Sequence, residues 1–225
     1  MQLPAATSSY QTRVRFGRYL ARRLRRDKLG QLADDVSTVT NNLRQAGRAW
    51  EDADDAIQDA LADRDAADDD LDLVAQETRM SLAGRSLSAA KEAPYTDIFP
   101  LGIGYYIAAP LDEEVKRYDE LRKRLAEHLP AGDEVRKKAI KGIEPGLKAF
   151  ESATKQLDAA RTAESLAATQ LAKATDAWAK QMEKAYGALV VEVGRSAAER
   201  FFPRVTRKTP AAPKAGKGTA EPKPE

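Results

Sequence analysis

Apolar residues recur every seven positions along two long stretches of this sequence, and each stretch carries alanine at four successive repeats. The first seam comprises Leu29, Val36, Leu43, Trp50, Ile57, Arg64 and Leu71, with Ala46, Ala53, Ala60 and Ala67 in its companion seam. The second comprises Phe150, Leu157, Glu164, Leu171 and Trp178, with Ala153, Ala160, Ala167 and Ala174. Sustained heptads are typical of paired helices. They predict an all-α fold built on a long antiparallel helical hairpin, a coiled coil.

Proline and glycine mark where these helices should begin and end. No proline and only four glycines occur from Tyr10 to Glu92, which predicts one long helix, with a break allowed near Gly30. Pro145 predicts a kink or break, and Pro203 the end of the returning helix. The predicted segments are a basic amphipathic arm (1–28), a long helix (29–92), a small helical head with an apolar loop (93–145), a returning long helix (146–203) and a disordered Lys/Pro-rich tail (204–225).

The composition suits a narrow helical architecture. Aromatic residues make up only 6% of the chain, so we expect a core two or three helices wide. The absence of cysteine excludes disulfides, thiolate catalysis and cysteine-based zinc sites. No apolar run reaches the roughly 18 residues of a membrane-spanning helix, and the N-terminus lacks the apolar core of a secretory signal. We therefore expect a cytoplasmic protein.

Two charged residues interrupt the apolar seams and suggest a register for the hairpin. Arg64 lies in the first seam and Glu164 in the second. Pairing them satisfies both charges, whereas a slipped alignment would bury a charge without a partner. The same alignment places Trp50 opposite Trp178 and Leu71 opposite Leu157. Arg64 and Glu164 are thus the predicted register pair, although antiparallel layering allows an offset of about half a heptad.

The sequence offers no convincing catalytic, cofactor or metal site. His128 is the single histidine, and its place near a predicted helix end favours a cation at the helix C-terminus over a catalytic base. One histidine is too few for a di-iron bundle. The run from Asp68 to Asp72 lacks the glycine and the final glutamate of a calcium loop. We predict no enzyme activity and no cofactor.

Charge is segregated along the first long helix. Residues 51–72, here called the acidic belt, hold eleven acids and one base, Arg64. The basic arm carries a candidate anionic-surface site formed by Arg13, Arg15, Arg18, Arg22, Arg23, Arg25 and Arg26. Such an arm can bind an anionic membrane, nucleic-acid phosphates or an acidic protein. Alternatively, its apolar strip of Phe16, Tyr19, Leu20 and Leu24 joins the core and the arginines are merely solvated.

The apolar loop of the head is the third unusual feature. No charge occurs from Ile98 to Leu111. Its candidate apolar tip comprises Ile98, Phe99, Leu101, Ile103, Tyr105, Tyr106 and Ile107. An exposed patch of this kind would suit insertion into a bilayer. The favoured interpretation is a plug packed under Tyr118, Leu121 and Leu125 of the next helix, since apolar loops beside amphipathic helices are normally core.

These patterns favour a non-enzymatic coiled-coil scaffold or assembly protein that acts through helix–helix and charge–charge contacts. Its expected partner is a second copy of itself or another helical protein. The alternative is a membrane-associating helical protein, remodelling or pore-forming, that uses the basic arm or the apolar tip. Nucleic-acid packaging ranks third, because the acidic belt would repel phosphates.

Overall fold

The computed structural model describes residues 1–203, which form helices and no strand. The helices are α1 (Tyr10–Arg26), α2 (Gly30–Ala83), α3 (Tyr95–Ile98), α4 (Gly104–Ile107), α5 (Glu114–His128), α6 (Glu134–Val193) and α7 (Arg195–Glu199), with a 3-10 turn at Ala89–Lys91. α2 and α6 pack against each other, which confirms the all-α helical hairpin. The predicted disordered tail, 204–225, lies outside the described residues.

The first predicted helix is divided in two. Ser9 caps α1 by accepting a hydrogen bond from the Thr12 backbone N–H at 3.3 Å. The helix ends before Lys28, whose φ of 65° is left-handed and incompatible with a continuing helix. α2 then ends at Ala83, earlier than the predicted 92. The break allowed near Gly30 therefore falls just before that residue.

The predicted kink or break at Pro145 does not interrupt the returning helix, because α6 continues from Glu134 to Val193. Proline removes one backbone donor, but the neighbouring glycines are held tightly against α2. A Cβ at Gly142 would lie 2.6 Å from Val74, and one at Gly146 would lie 2.7 Å from Leu71. α6 is therefore continuous through a stretch that packs closely on α2. It ends earlier than predicted, because Gly194 is left-handed with φ 80°.

Of the described residues, the first of two compact units contains 1–44 and 175–203. α1 folds back along the start of α2, and Phe16 packs edge-on against Trp178 with ring centroids 5.8 Å apart. Leu20 and Leu24 are completely buried. The apolar strip of the basic arm is therefore core, apart from Tyr19, which is 44% exposed.

The second unit comprises residues 45–174 and contains the head. Its core joins α3, α4 and α5 to the adjoining parts of α2 and α6. Tyr118, Leu121 and Leu125 of α5 are completely buried. Asp133 caps α6 by accepting from the Val135 N–H at 2.9 Å, and Arg85 donates to its carboxylate at 2.7 Å. These contacts fix the head to both long helices.

Within the second unit, one part of the hairpin is thinly packed. We call residues 48–66 of α2 and 158–174 of α6 the mid-hairpin segment. Ala60 is its only buried residue. Its larger seam side chains, Trp50, Ile57 and Leu171, are half-buried, and Leu166 is 63% exposed. The two helices alone do not cover the apolar surface that they bring together.

The predicted register is wrong. The Trp50 indole Nε1 donates to Glu164 Oε1 at 2.6 Å, so Trp50 faces a residue two heptads before Trp178. Arg64 instead donates to its neighbour Asp65 at 2.6 Å. Leu71 contacts the region of Gly146 rather than Leu157. Glu164 thus gains a neutral donor, and Arg64 is half-buried but paired locally, so neither charge requires the predicted alignment.

Gly17 provides a test of the first unit. A Cβ there would lie 2.2 Å from Thr40 Oγ1 and 2.8 Å from Trp178 Nε1, and Thr40 is held by a 2.7 Å hydrogen bond to the Val36 carbonyl. We expect Gly17→Ala to lower the free energy of unfolding by about 1–3 kcal/mol through overpacking. Gly187→Ala, in open space within α6, should instead raise it by about 0.5–1 kcal/mol. Urea denaturation of both variants checks this; equal effects would contradict the packing described.

Candidate functional site

The seven arginines of the candidate anionic-surface site have different environments. Arg13 is buried and donates to the backbone carbonyls of Ala5, Ala6 and Ser8, so it anchors the N-terminal residues. The Arg23 guanidinium lies 5.9 Å from the centroid of the Phe201 ring. Arg25 forms an ion pair with Asp34 at 3.0 Å. These three arginines have structural partners.

The other four arginines form a stripe on the surface of α1. They are exposed, and within residues 1–203 no ion pair neutralises them. Their spacing of three or four residues places them along one side of the helix. We call Arg15, Arg18, Arg22 and Arg26 the arginine stripe. It is the part of the predicted basic surface that remains accessible.

The apolar loop is mostly covered by the head. Ile98, Phe99 and Tyr106 are buried, and the Tyr106 hydroxyl donates to the Ile98 carbonyl at 3.1 Å. Burial raises the pKa of Tyr106 to about 12. Ile103, Tyr105 and Ile107 are half-buried. Leu101 is the exception at 68% exposed.

Charged side chains of α5 hold the end of this loop. The Arg117 guanidinium stacks 4.5 Å from the centroid of the Tyr105 ring and donates to the Tyr105 carbonyl at 2.6 Å. The Tyr105 hydroxyl donates to Glu120 at 2.9 Å. This arrangement fits the plug interpretation and leaves little apolar surface for a bilayer.

The acidic belt remains largely without neutralising partners. Arg64 pairs with Asp65, and few other belt residues have a structural role. The following belt residues are exposed and form no ion pair within residues 1–203: Asp52, Asp54, Asp55, Asp59, Asp63, Asp69 and Asp70. Like charges at this spacing repel one another. A cationic partner would therefore stabilise this part of α2.

One end of the belt enters the head and forms a buried carboxyl cluster. Glu114, the first residue of α5, is 1% exposed and lies beside Asp68 and Asp72 of α2. Burial and the neighbouring charges of Asp68 and Asp72 raise the pKa of Glu114 to about 8. Tyr118 donates to Asp72 at 2.7 Å, and burial and that contact raise the pKa of the tyrosine. The cluster therefore favours the protonated form of Glu114.

Asp68 and Asp72 enter the sequence reasoning only as part of the acidic belt and of a run that lacks calcium-loop spacing, so this cluster is missed. Both pairs, Asp68 with Asp72 and Glu114 with Tyr118, are spaced by four residues and so share a helix face. The first pair flanks Leu71, which is completely buried. This spacing indicates that the two aspartates share a helix face with a buried residue. It does not show that α5 covers them.

Other candidate sites are not supported by geometry. His128 is half-buried, with Nδ1 3.8 Å from Asp97 and Nε2 3.9 Å from Glu127, so a carboxylate lies near each of its ring nitrogens. Within residues 1–203 no group of three acidic or histidine side chains is placed to hold a metal ion. None of the helices in that range is both long and apolar enough to cross a membrane.

Comparisons with other proteins bring no further information about this chain. It matches no protein-family model, and neither the curated proteins nor the solved structures show a significant similarity to it. The function must therefore be argued from the chain itself.

The carboxyl cluster makes folding depend on pH. Glu114 titrates near 4.5 when unfolded and at about 8 when folded, so the folded state binds more protons between these values and stability falls as pH rises through them. Glu114→Gln mimics the protonated acid and should be more stable than the natural protein at pH 8 by on the order of 2 kcal/mol.

The control is Glu113→Gln. A hydrogen bond from Arg117 lowers the pKa of this neighbouring carboxyl, so its removal should leave the fall in stability between pH 5 and 8 intact. Denaturant unfolding across this range measures all three proteins. If Glu113→Gln flattens the profile as much as Glu114→Gln, or if neither does, the buried proton is not the cause.

Proposed function

We propose that the protein is a non-enzymatic scaffold or assembly protein in which the mid-hairpin segment of one copy receives α1 of another. The observation that carries this proposal is the thin packing of that segment, where Ala60 is the only buried residue. Half-buried Trp50 and Ile57 leave apolar surface that a further helix would cover. Such coverage is a normal source of association energy.

Charge complementarity identifies the occupant. The exposed aspartates of the acidic belt flank the half-covered seam, so a belt-to-belt contact between two copies would be repulsive. The arginine stripe of α1 has the opposite sign and is equally exposed. Arginine side chains also have apolar stems, which can lie on Ile57 and Leu61 while their guanidinium groups reach the aspartates. A second copy, docked through its α1, is therefore the occupant we infer.

Adsorption to an anionic surface is the second candidate function. The arginine stripe supports it, since four exposed guanidinium groups on one side of a helix attract phosphates. However, Phe16, Leu20 and Leu24 are buried, so α1 has no apolar face to insert. Contact with a membrane or nucleic acid would be electrostatic, and the acidic belt would oppose it. Pelleting with phosphatidylserine vesicles, compared with and without the stripe arginines, tests this candidate.

Sedimentation velocity tests the assembly proposal. The natural protein should form oligomers at low salt. These should dissociate at about 1 M salt, because charge interactions are then screened beyond roughly 3 Å. Neutralising part of the belt should give a monomer at low salt. The belt variant carries Asp52→Asn, Asp55→Asn, Asp59→Asn and Asp63→Asn.

The matched control removes the same number of negative charges outside the belt. It carries Asp112→Asn, Glu151→Gln, Glu183→Gln and Glu192→Gln, all at exposed positions. This control should assemble like the natural protein. A natural protein that is monomeric at low salt contradicts the proposal. Oligomers that persist in the belt variant would show that apolar contacts, not the belt, hold the assembly.

A further inference from the structure

A groove lies between α1 and the first turns of α2, within the first unit. Its volume is about 460 Å³. α1 contributes three arginines to its wall, and α2 contributes hydroxyl and amide side chains. The polar residues that line it are Arg18, Arg22, Arg25, Ser37, Thr40 and Asn41. No carboxylate lines this groove, so its charge is positive.

The donors that remain available in the groove can be identified. Arg25 is neutralised by Asp34 at 3.0 Å. The hydroxyls of Ser37 and Thr40 donate to backbone carbonyls of their own helix, each at 2.7 Å. Arg18 and Arg22 have no ion pair within residues 1–203. Two guanidinium groups therefore face the groove with their donors unused, accompanied by the exposed amide of Asn41.

We propose that this groove binds the phosphoryl group of a phosphate monoester. Guanidinium donates two parallel hydrogen bonds to phosphate oxygens. Arg18 and Arg22 are one helical turn apart, so both can reach a single dianionic group. Tyr19 and Ala21 also line the groove and supply an apolar wall for the carbon part of the ester. Arg18 and Arg22 also belong to the arginine stripe that docks in the assembly proposed above, so phosphate and a second copy compete for them. The belt variant, which should not assemble, leaves the groove accessible.

Isothermal titration calorimetry tests the site, with inorganic phosphate and glycerol 3-phosphate as probes at low ionic strength. The belt variant, in which α1 is not docked on a neighbouring copy, should bind with one saturable site. The arginine substitutions are made in the belt variant, so that failure of assembly and failure of the groove remain distinguishable. Arg18→Gln with Arg22→Gln should weaken binding at least about tenfold. Arg18→Lys with Arg22→Lys keeps the charge but loses the paired donors, and should weaken it by a similar factor.

Arg15→Gln with Arg26→Gln is the matched control, because both residues belong to the arginine stripe but do not line the groove. Made in the belt variant, this pair should bind within about twofold of the belt variant itself. Equal weakening by the two glutamine pairs would show diffuse attraction and overturn the proposal.

Vesicles containing phosphatidic acid, which presents a phosphate monoester headgroup, form the second arm of the test. Binding to these vesicles alone, lost in the Arg18 and Arg22 variant, would assign the phosphoryl group to a lipid. Binding to the soluble probes alone would assign it to a small metabolite. Saturable binding to neither source would overturn the proposal.

Discussion

The close approach of α2 and α6 at small residues is the constraint on which the second unit depends. Gly142 and Gly146 leave no room for a Cβ against Val74 and Leu71, so the two helices approach closely in this alignment. That alignment places Glu164 under the Trp50 indole. It also positions the face of α2 on which α5 and the apolar loop pack. The core of the head therefore lies directly beside the closely packed stretch of the hairpin.

Farther from Gly142 and Gly146, the same hairpin buries few side chains. Alanine seams shorten the distance between the helices but bury little area, and hydrophobic stabilisation scales with buried apolar area. The large side chains that remain, such as Ile57 and Leu171, are only half-covered. The acidic belt occupies this part of α2, so the chain concentrates its charge where its own packing is weakest. A positively charged helix bound there would both neutralise the aspartates and cover the half-buried side chains. This is why we infer an assembly role.

The heptads predicted the helical hairpin because burial at every seventh position permits few other folds. They did not predict the register, because antiparallel heptads remain in phase when one helix is shifted by whole repeats. Choosing the register by pairing Arg64 with Glu164 also ignored neutral donors such as the Trp50 indole. Pro145 does not break the returning helix, which continues through closely packed glycines on either side of it. The sequence identifies the arginines of the basic arm but does not show which of them are accessible. Only the fold distinguishes Arg13, which donates to backbone carbonyls, from Arg18, which faces a groove. Glu114 was missed because its burial depends on a helix distant in sequence.

Hydrogen exchange of backbone amides, followed by mass spectrometry on the full chain, tests the central claim most directly. Exchange reports local opening, which is easiest where few apolar contacts are buried. In monomeric protein at high salt, residues 48–66 and 158–174 should exchange faster than the flanking parts of α2 and α6 that pack on the head. At low salt and high protein concentration, their protection should rise. Uniform protection along both helices in both conditions would contradict the account.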